Sequence, residues 1–144
     1  MVLSFDHILV PYDGTKTGEK AFNSALQLAK KFESRITVLS CLEKKSTFVF
    51  FETKFDKKDI EKRNKIMQDK IYKLEQISKK FGIKFNSKIT NCSLASKCIV
   101  SYVKSHKVNL IVMSKSSKIS PEKIYHDSTV NYVYSHVDIP MFNI

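Results

Sequence analysis

Glycine is scarce in this 144-residue chain: Gly14, Gly18 and Gly82 are the only three, and none follows position 82. An average composition, about 7% glycine, would supply about ten. The last 62 residues therefore cannot hold a glycine-rich loop that lets the backbone close on phosphates. Other absences narrow the reading further. No apolar run approaches the roughly 18 residues of a membrane span, so no membrane association is expected. The N-terminus lacks a basic n-region and Asp6 interrupts its first apolar stretch, so no secretory signal is expected either. Cys41, Cys92 and Cys98 are odd in number and show neither CxxC nor Cys/His zinc spacing, so no metal site is expected and a reducing, cytoplasmic compartment is. Cys41 reads as a small hydrophobe in a buried strand, and Cys92 and Cys98 as inert helix residues. The four histidines, His7, His106, His126 and His136, are scattered without ligand spacing. His126 and Asp127 are adjacent and so do not face each other on a helix. With no Ser-His-Asp, P-loop or paired-carboxylate signature, no catalytic residue is assigned and no enzyme is expected.

What is present suits one folded domain over residues 1–144. Hydrophobic residues make up 42%, too many for a disordered chain, and no repeat or linker divides the sequence. Lys and Arg outnumber Asp and Glu by 25 to 14, a net charge of +11. The excess gathers in residues 56–90, which carry 11 basic and 5 acidic residues. Such charge is the first mark of a nucleic-acid binder. However, Asp56, Asp59, Glu61, Asp69 and Glu75 interrupt it, and no aromatics interleave with the lysines as a stacking platform requires. The segment reads as a solvated helix face, and nucleic-acid binding is the third-ranked function.

Along the chain, short apolar runs alternate with helical periodicity. Phe5–Tyr12 reads as a strand ending in the turn pair Asp13-Gly14, and Thr15 or Thr17 caps a helix along which Ala21, Phe22, Ala25, Leu26, Leu28, Ala29 and Phe32 recur at helical spacing. Arg35–Leu42 is a second strand. Residues 43–55 form a connection with an aromatic cluster, Phe48, Phe50, Phe51 and Phe55, which is either satellite core or a protein-partner surface. A long helix over 56–81 follows, with the stripe Ile60, Met67, Ile71, Leu74 and Phe81, and Gly82 stands where a left-handed cap belongs. Ile83–Thr90 reads as an edge-proximal strand, Ser93–His106 as a helix and Val108–Met113 as a strand buried on both faces. After a polar loop, Asp127 caps a short helix to His136, and MFNI forms the last strand. Alternating strands and helices predict a parallel sheet with helices on both faces.

The opening HILVPYDGT, and the combination of NLIVMSKSS with DSTVNYVYSHVDIPMFNI near the end, resemble the universal stress protein family over the whole chain. The resemblance implies a Rossmann-like, adenine nucleotide alpha hydrolase-like fold: one open five-stranded parallel sheet of order 3-2-1-4-5. Ligands then sit where the strand order reverses, between Pro11-Tyr12-Asp13 and Met113-Ser114. It also implies a homodimer, for which Met141–Ile144 offers an otherwise exposed edge.

In ATP-binding members of that family the pattern after the fourth strand is G-x2-G-x9-G-[ST]. The corresponding residues are Ser114, Ser117, Asp127 and Ser128, so every glycine is replaced and only the final serine matches. Asp127 is the most serious change, because its carboxylate competes with a phosphate for the same helix N–H groups and repels its charge. Transferred by position, the nucleotide contacts implied are Pro11, Asp13, Cys41, Met113, Ser114, Ser117, Asp127, Ser128 and Thr129. The first-ranked function is a non-catalytic stress-response binding or signalling module with weakened or lost ATP binding and no required cofactor. The alternative is an ATP-binding switch with slow or no hydrolysis.

Overall fold

The computed structural model describes residues 4–43, 54–114 and 128–144; side chains of 54–56 and 128 are outside that description. The elements are β1 (His7–Pro11), α1 (Lys16–Phe32), β2 (Arg35–Glu43), α2 (Lys54–Lys80), β3 (Phe85–Cys92), α3 (Ala95–Ser105), β4 (Leu110–Met113), α4 (Ser128–His136) and β5 (Met141–Asn143). All strand pairs are parallel, and the sheet order is β3-β2-β1-β4-β5. The expected α/β fold and strand order are both present.

Successive strand residues point to opposite sheet faces, so each inner strand feeds two cores. Ile8, Val10, Ile36, Val38, Leu110 and Val112 face α1 and α2 and meet Ala21, Phe22, Ala25, Met67, Ile71 and Leu74. Leu9, Leu39, Ile111 and Met113 face the other way, onto Ile99, Val100 and Val133 of α3 and α4. Each of these clusters closes off one side of the sheet. That is why β1 and β4 read as unbroken apolar runs rather than alternating ones.

Two expectations about the α2–β3 junction need correction. Phe81, placed on the apolar stripe of the long helix, is half exposed, and the stripe ends at Leu74, with Ile77 packed at its margin. Ile83 is buried but lies outside β3. The Ile83 N–H donates to the Ser78 carbonyl at 3.0 Å and the Gly82 N–H to the Lys79 carbonyl at 3.1 Å, a Schellman closure with Gly82 at φ +68°. Ile83 thus completes the helix end, and pairing with β2 starts one residue later, where the Ile36 N–H donates to the Lys84 carbonyl at 2.9 Å.

His7 ties the sheet together at the end opposite the expected ligand crevice. Its ring is buried, with Nδ1 2.9 Å from the Lys107 carbonyl and Nε2 2.7 Å from the Thr37 hydroxyl. A carbonyl can only accept, so a proton on Nδ1 serves Lys107 and leaves Nε2 to accept from Thr37; Arg35 Nη2 lies 3.3 Å from the same Nδ1. Burial lowers its pKa below the ordinary 6.5; the Lys107 bond opposes that, and Arg35 and His106 add to it.

Candidate functional site

The turn between β1 and α1 builds the first wall of the site. The Tyr12 N–H donates to the Leu39 carbonyl at 2.9 Å, and the buried Ser40 hydroxyl donates to the Tyr12 carbonyl at 2.8 Å. Tyr12 is therefore held on both backbone sides before the chain turns. Its ring lies in the core, where burial first, and then Glu19 and Asp13, push its phenol up to about 12. Asp13 next folds back on its own turn: its Oδ1 accepts from the Thr15 N–H at 3.0 Å and from the Thr15 hydroxyl at 2.5 Å. The Thr15 hydroxyl oxygen accepts in turn from the Gly18 N–H at 3.2 Å, so Thr15 is the N-cap of α1.

Gly18 permits this arrangement by having no side chain. A Cβ there would lie 2.9 Å from Tyr12 Cδ1 and 3.0 Å from Asp13 Oδ1. Both contacts are shorter than van der Waals separation, so the helix start can sit this close to the turn only with glycine.

The second wall is β4. Both β1 and β4 run two residues past Leu9 and Ile111, yet their pairing ends at Leu9↔Ile111. On the far sides, pairing continues to Pro11↔Leu39 and Met113↔Asn143. The sheet thus opens at the carboxyl ends of β1 and β4, where the strand order reverses. Pro11 and Asp13 lie on one lip, and Met113 and the half-buried Ser114 on the other. The nine-residue α4 starts at Ser128, followed by half-buried Thr129. Ser117 and Asp127 fall outside the described residues, as do Phe48, Phe50 and Phe51 of the aromatic cluster; Phe55, expected in the connection over 43–55, belongs instead to α2.

Two contacts at these strand ends were not legible in the sequence. Lys70 of α2 donates to the Gly14 carbonyl at 2.8 Å, and Arg63 donates to the Glu43 carbonyl at 2.9 Å. Both belong to the charge-rich segment read as a solvated face. The helix face has the predicted mixed signs, but these two cations reach over the strand ends. No sequence signal marks them, because their partners are backbone carbonyls 56 and 20 residues away.

The cysteines also differ from expectation. Cys92 ends β3 rather than lying on a helix, and Cys98 stands in the first turn of α3. Cys41, carried onto the site by resemblance, lies on the sheet face covered by α3 and α4. The sulfurs of all three lie within 4.8 Å of one another. Elsewhere, an open groove lined by Lys97, Val100, Ser101, Lys104, Ser105 and Tyr132 runs along α3 and α4 and includes none of the expected nucleotide contacts. No described helix is long and apolar enough to cross a membrane.

Comparison with known proteins agrees with this architecture. Among curated proteins no sequence matches. Among solved structures, a universal stress protein UspA from Lactobacillus plantarum superposes with a TM-score of 0.87 at 20% identity, over 98% of each chain. A universal stress protein from Archaeoglobus fulgidus, described in complex with dAMP, has a TM-score of 0.65 at 12% identity over 99% of each chain. An Arabidopsis thaliana family member described with AMP bound has a TM-score of 0.68 at 14% identity, over 96% of this chain and 90% of its own. At these identities the likeness concerns the fold. The sequence profile of the universal stress protein family matches residues 4–142, nearly the whole chain. With that match, the 3-2-1-4-5 sheet and the opening between β1 and β4, the chain belongs to the universal stress protein family.

Proposed function

We propose that this protein is a non-catalytic stress-response binding module that takes an adenine mononucleotide weakly in the β1/β4 crevice and has lost tight ATP binding. The observation that carries the reading is the parting of β1 and β4 after Leu9 and Ile111, with the Asp13 turn on its rim. Structural neighbours described with dAMP and AMP make a nucleotide the natural occupant. Asp13 uses Oδ1 within its own turn, which leaves its second carboxylate oxygen to accept a ribose hydroxyl. Lys70, beside the Gly14 carbonyl, supplies a nearby cation.

The sequence itself disfavours tight triphosphate binding. Ser114, Ser117 and Asp127 replace the glycines of the phosphate loop, and Asp127 immediately precedes α4. A carboxylate directly before a helix competes in general with a phosphate for the first-turn N–H groups.

Titration calorimetry and thermal unfolding with AMP and with Mg-ATP test the proposal. The expected result is a thermal shift at millimolar AMP, no tighter binding of ATP, no ADP release, and loss of the shift in Asp13→Ala. A ligand at about 100 times its Kd adds about 2.7 kcal/mol. No shift with AMP up to millimolar concentration overturns the mononucleotide reading; micromolar ATP binding or turnover overturns the loss of ATP.

We also place the dimer interface at β5. It pairs with β4 on one side, its other edge has no described partner, and Phe142 and Ile144 are exposed. The three free thiols fit a reducing, cytoplasmic compartment. On sequence grounds alone, the Phe48–Phe55 segment is either satellite core or a protein-partner surface.

A further inference from the structure

Cys41, Cys92 and Cys98 come from three separate elements, yet their sulfurs all lie within 4.8 Å of one another. The register explains the convergence. Cys41 of β2 is level with Thr90 of β3, and Glu43 with Cys92. Side chains alternate between faces, so Cys41, Glu43 and Cys92 share the face on which α3 packs. The first turn of α3 then brings Cys98 over the same point. Glu43 anchors that turn: its Oε1 accepts from the Ala95 N–H at 2.9 Å, where Leu94 supplies no side-chain cap. All three thiols are free; Cys92 is buried, and Cys41 and Cys98 are half-buried.

We propose that this thiol triad is a binding site for one thiophilic d10 cation, Zn(II) or Cu(I). Soft thiolates select these ions over the hard cations that oxygen ligands favour. Tetrahedral Zn–S bonds of about 2.3 Å place sulfurs about 3.8 Å apart, so side-chain adjustments of about 1 Å suffice. Zn(II) takes a fourth ligand, which solvent can supply on the side of the half-buried Cys41 and Cys98. Cu(I), as a soft ion, is served by the three thiolates alone. On binding, each sulfur exchanges a proton for a bond to the metal, and those protons leave to solvent.

Redox sensing fits less well. A disulfide uses two sulfurs and leaves the third unexplained. The site stands apart from the crevice in its ligands and does not depend on nucleotide binding.

The test uses full-length, reduced, tag-free protein. It is titrated with Zn(II) against a chromophoric chelator, with Co(II) as a spectroscopic probe, and with Cu(I) against a copper(I) chelator. The proposal expects one equivalent bound, with thiolate-to-cobalt charge-transfer absorption if the site takes Zn(II), or with copper captured alone if it takes Cu(I). Cys41→Ser, Cys92→Ser and Cys98→Ser should each weaken binding at least about a hundredfold, since losing a second-shell partner alone costs about 10–100-fold. Circular dichroism confirms that the variants fold. In the wild type, bound metal should slow modification of all three thiols, a readout that needs no variant. The inference is overturned by no metal binding at micromolar protein, by binding that survives the serine substitutions, or by a disulfide within the triad in place of metal.

Discussion

Replacing Gly18 with alanine separates two opposing effects at the rim of the crevice. Gly18 lies in the first turn of α1, and in a helix alanine is ordinarily favoured over glycine by about 1 kcal/mol. Here the added methyl would lie 2.9 Å from Tyr12 Cδ1 and 3.0 Å from Asp13 Oδ1. Neither neighbour moves easily. The Tyr12 ring is buried among Ala21, Phe22 and Met67, and its backbone is bonded to Leu39 and Ser40. Asp13 is held by two bonds from Thr15. Overpacking of this kind costs about 1–3 kcal/mol. The net expectation for Gly18→Ala is a loss of about 1 kcal/mol rather than a gain of that size. For a chain of this length that lowers Tm by about 2–4 °C. Urea unfolding with an unchanged m-value isolates the native-state effect. In a Tyr12→Val background the ring contact is gone, so Gly18→Ala should cost measurably less, by the logic of a double-mutant cycle. A rise in Tm for the single variant, or the same cost in both backgrounds, refutes the close packing of α1 on the turn.

Two further perturbations address the sheet and the assembly. Because the folded His7 pKa lies below 6.5, the unfolded chain binds more protons between the two values, so stability falls as pH drops through that window; urea midpoints at pH 5 and 7.5 should show a steeper loss for wild type than for His7→Gln, and a His7 imidazole titrating at or above 6.5 by NMR refutes this. If β5 forms the dimer interface, Phe142→Glu, at a half-exposed position, should convert a dimer to a monomer in analytical ultracentrifugation without lowering Tm by more than a few degrees; a wild-type monomer, or a dimer unchanged by the substitution, refutes it.

Much of the fold was legible because burial imposes local patterns. The unbroken apolar runs HILV and LIVM mark strands covered on both faces, and both are inner strands. Thr15 was one of two residues read as the α1 cap, and its hydroxyl accepts from the Gly18 N–H. Gly82 follows the long helix where a left-handed cap belongs, and it has φ +68°. Element ends were less legible. Ile83 is apolar and follows a helix, so it reads as strand, but its N–H is already committed to Ser78. Phe81 keeps the helical spacing of the stripe, yet α2 ends at Lys80 and Phe81 stays half exposed. At the crevice the resemblance supplied the positions of the rim, whereas Lys70 came only from the structure, since a lysine among many on a charged helix carries no local mark of its target.

The sequence alone determined that this is a parallel α/β chain, because short apolar runs alternating with segments of 3.6-residue periodicity allow few other arrangements, and that its last 62 residues lack a glycine phosphate loop. Tertiary structure decided which distant groups share one place. Cys41 and Cys92 are 51 residues apart, and Cys98 belongs to a different element from either. Only the pairing of β2 with β3, and the docking of α3 over both, gathers three sulfurs that no spacing motif announces. The physical reason is that side-chain direction in a strand is local, whereas neighbourhood across a sheet depends on register and order, which are properties of the whole fold.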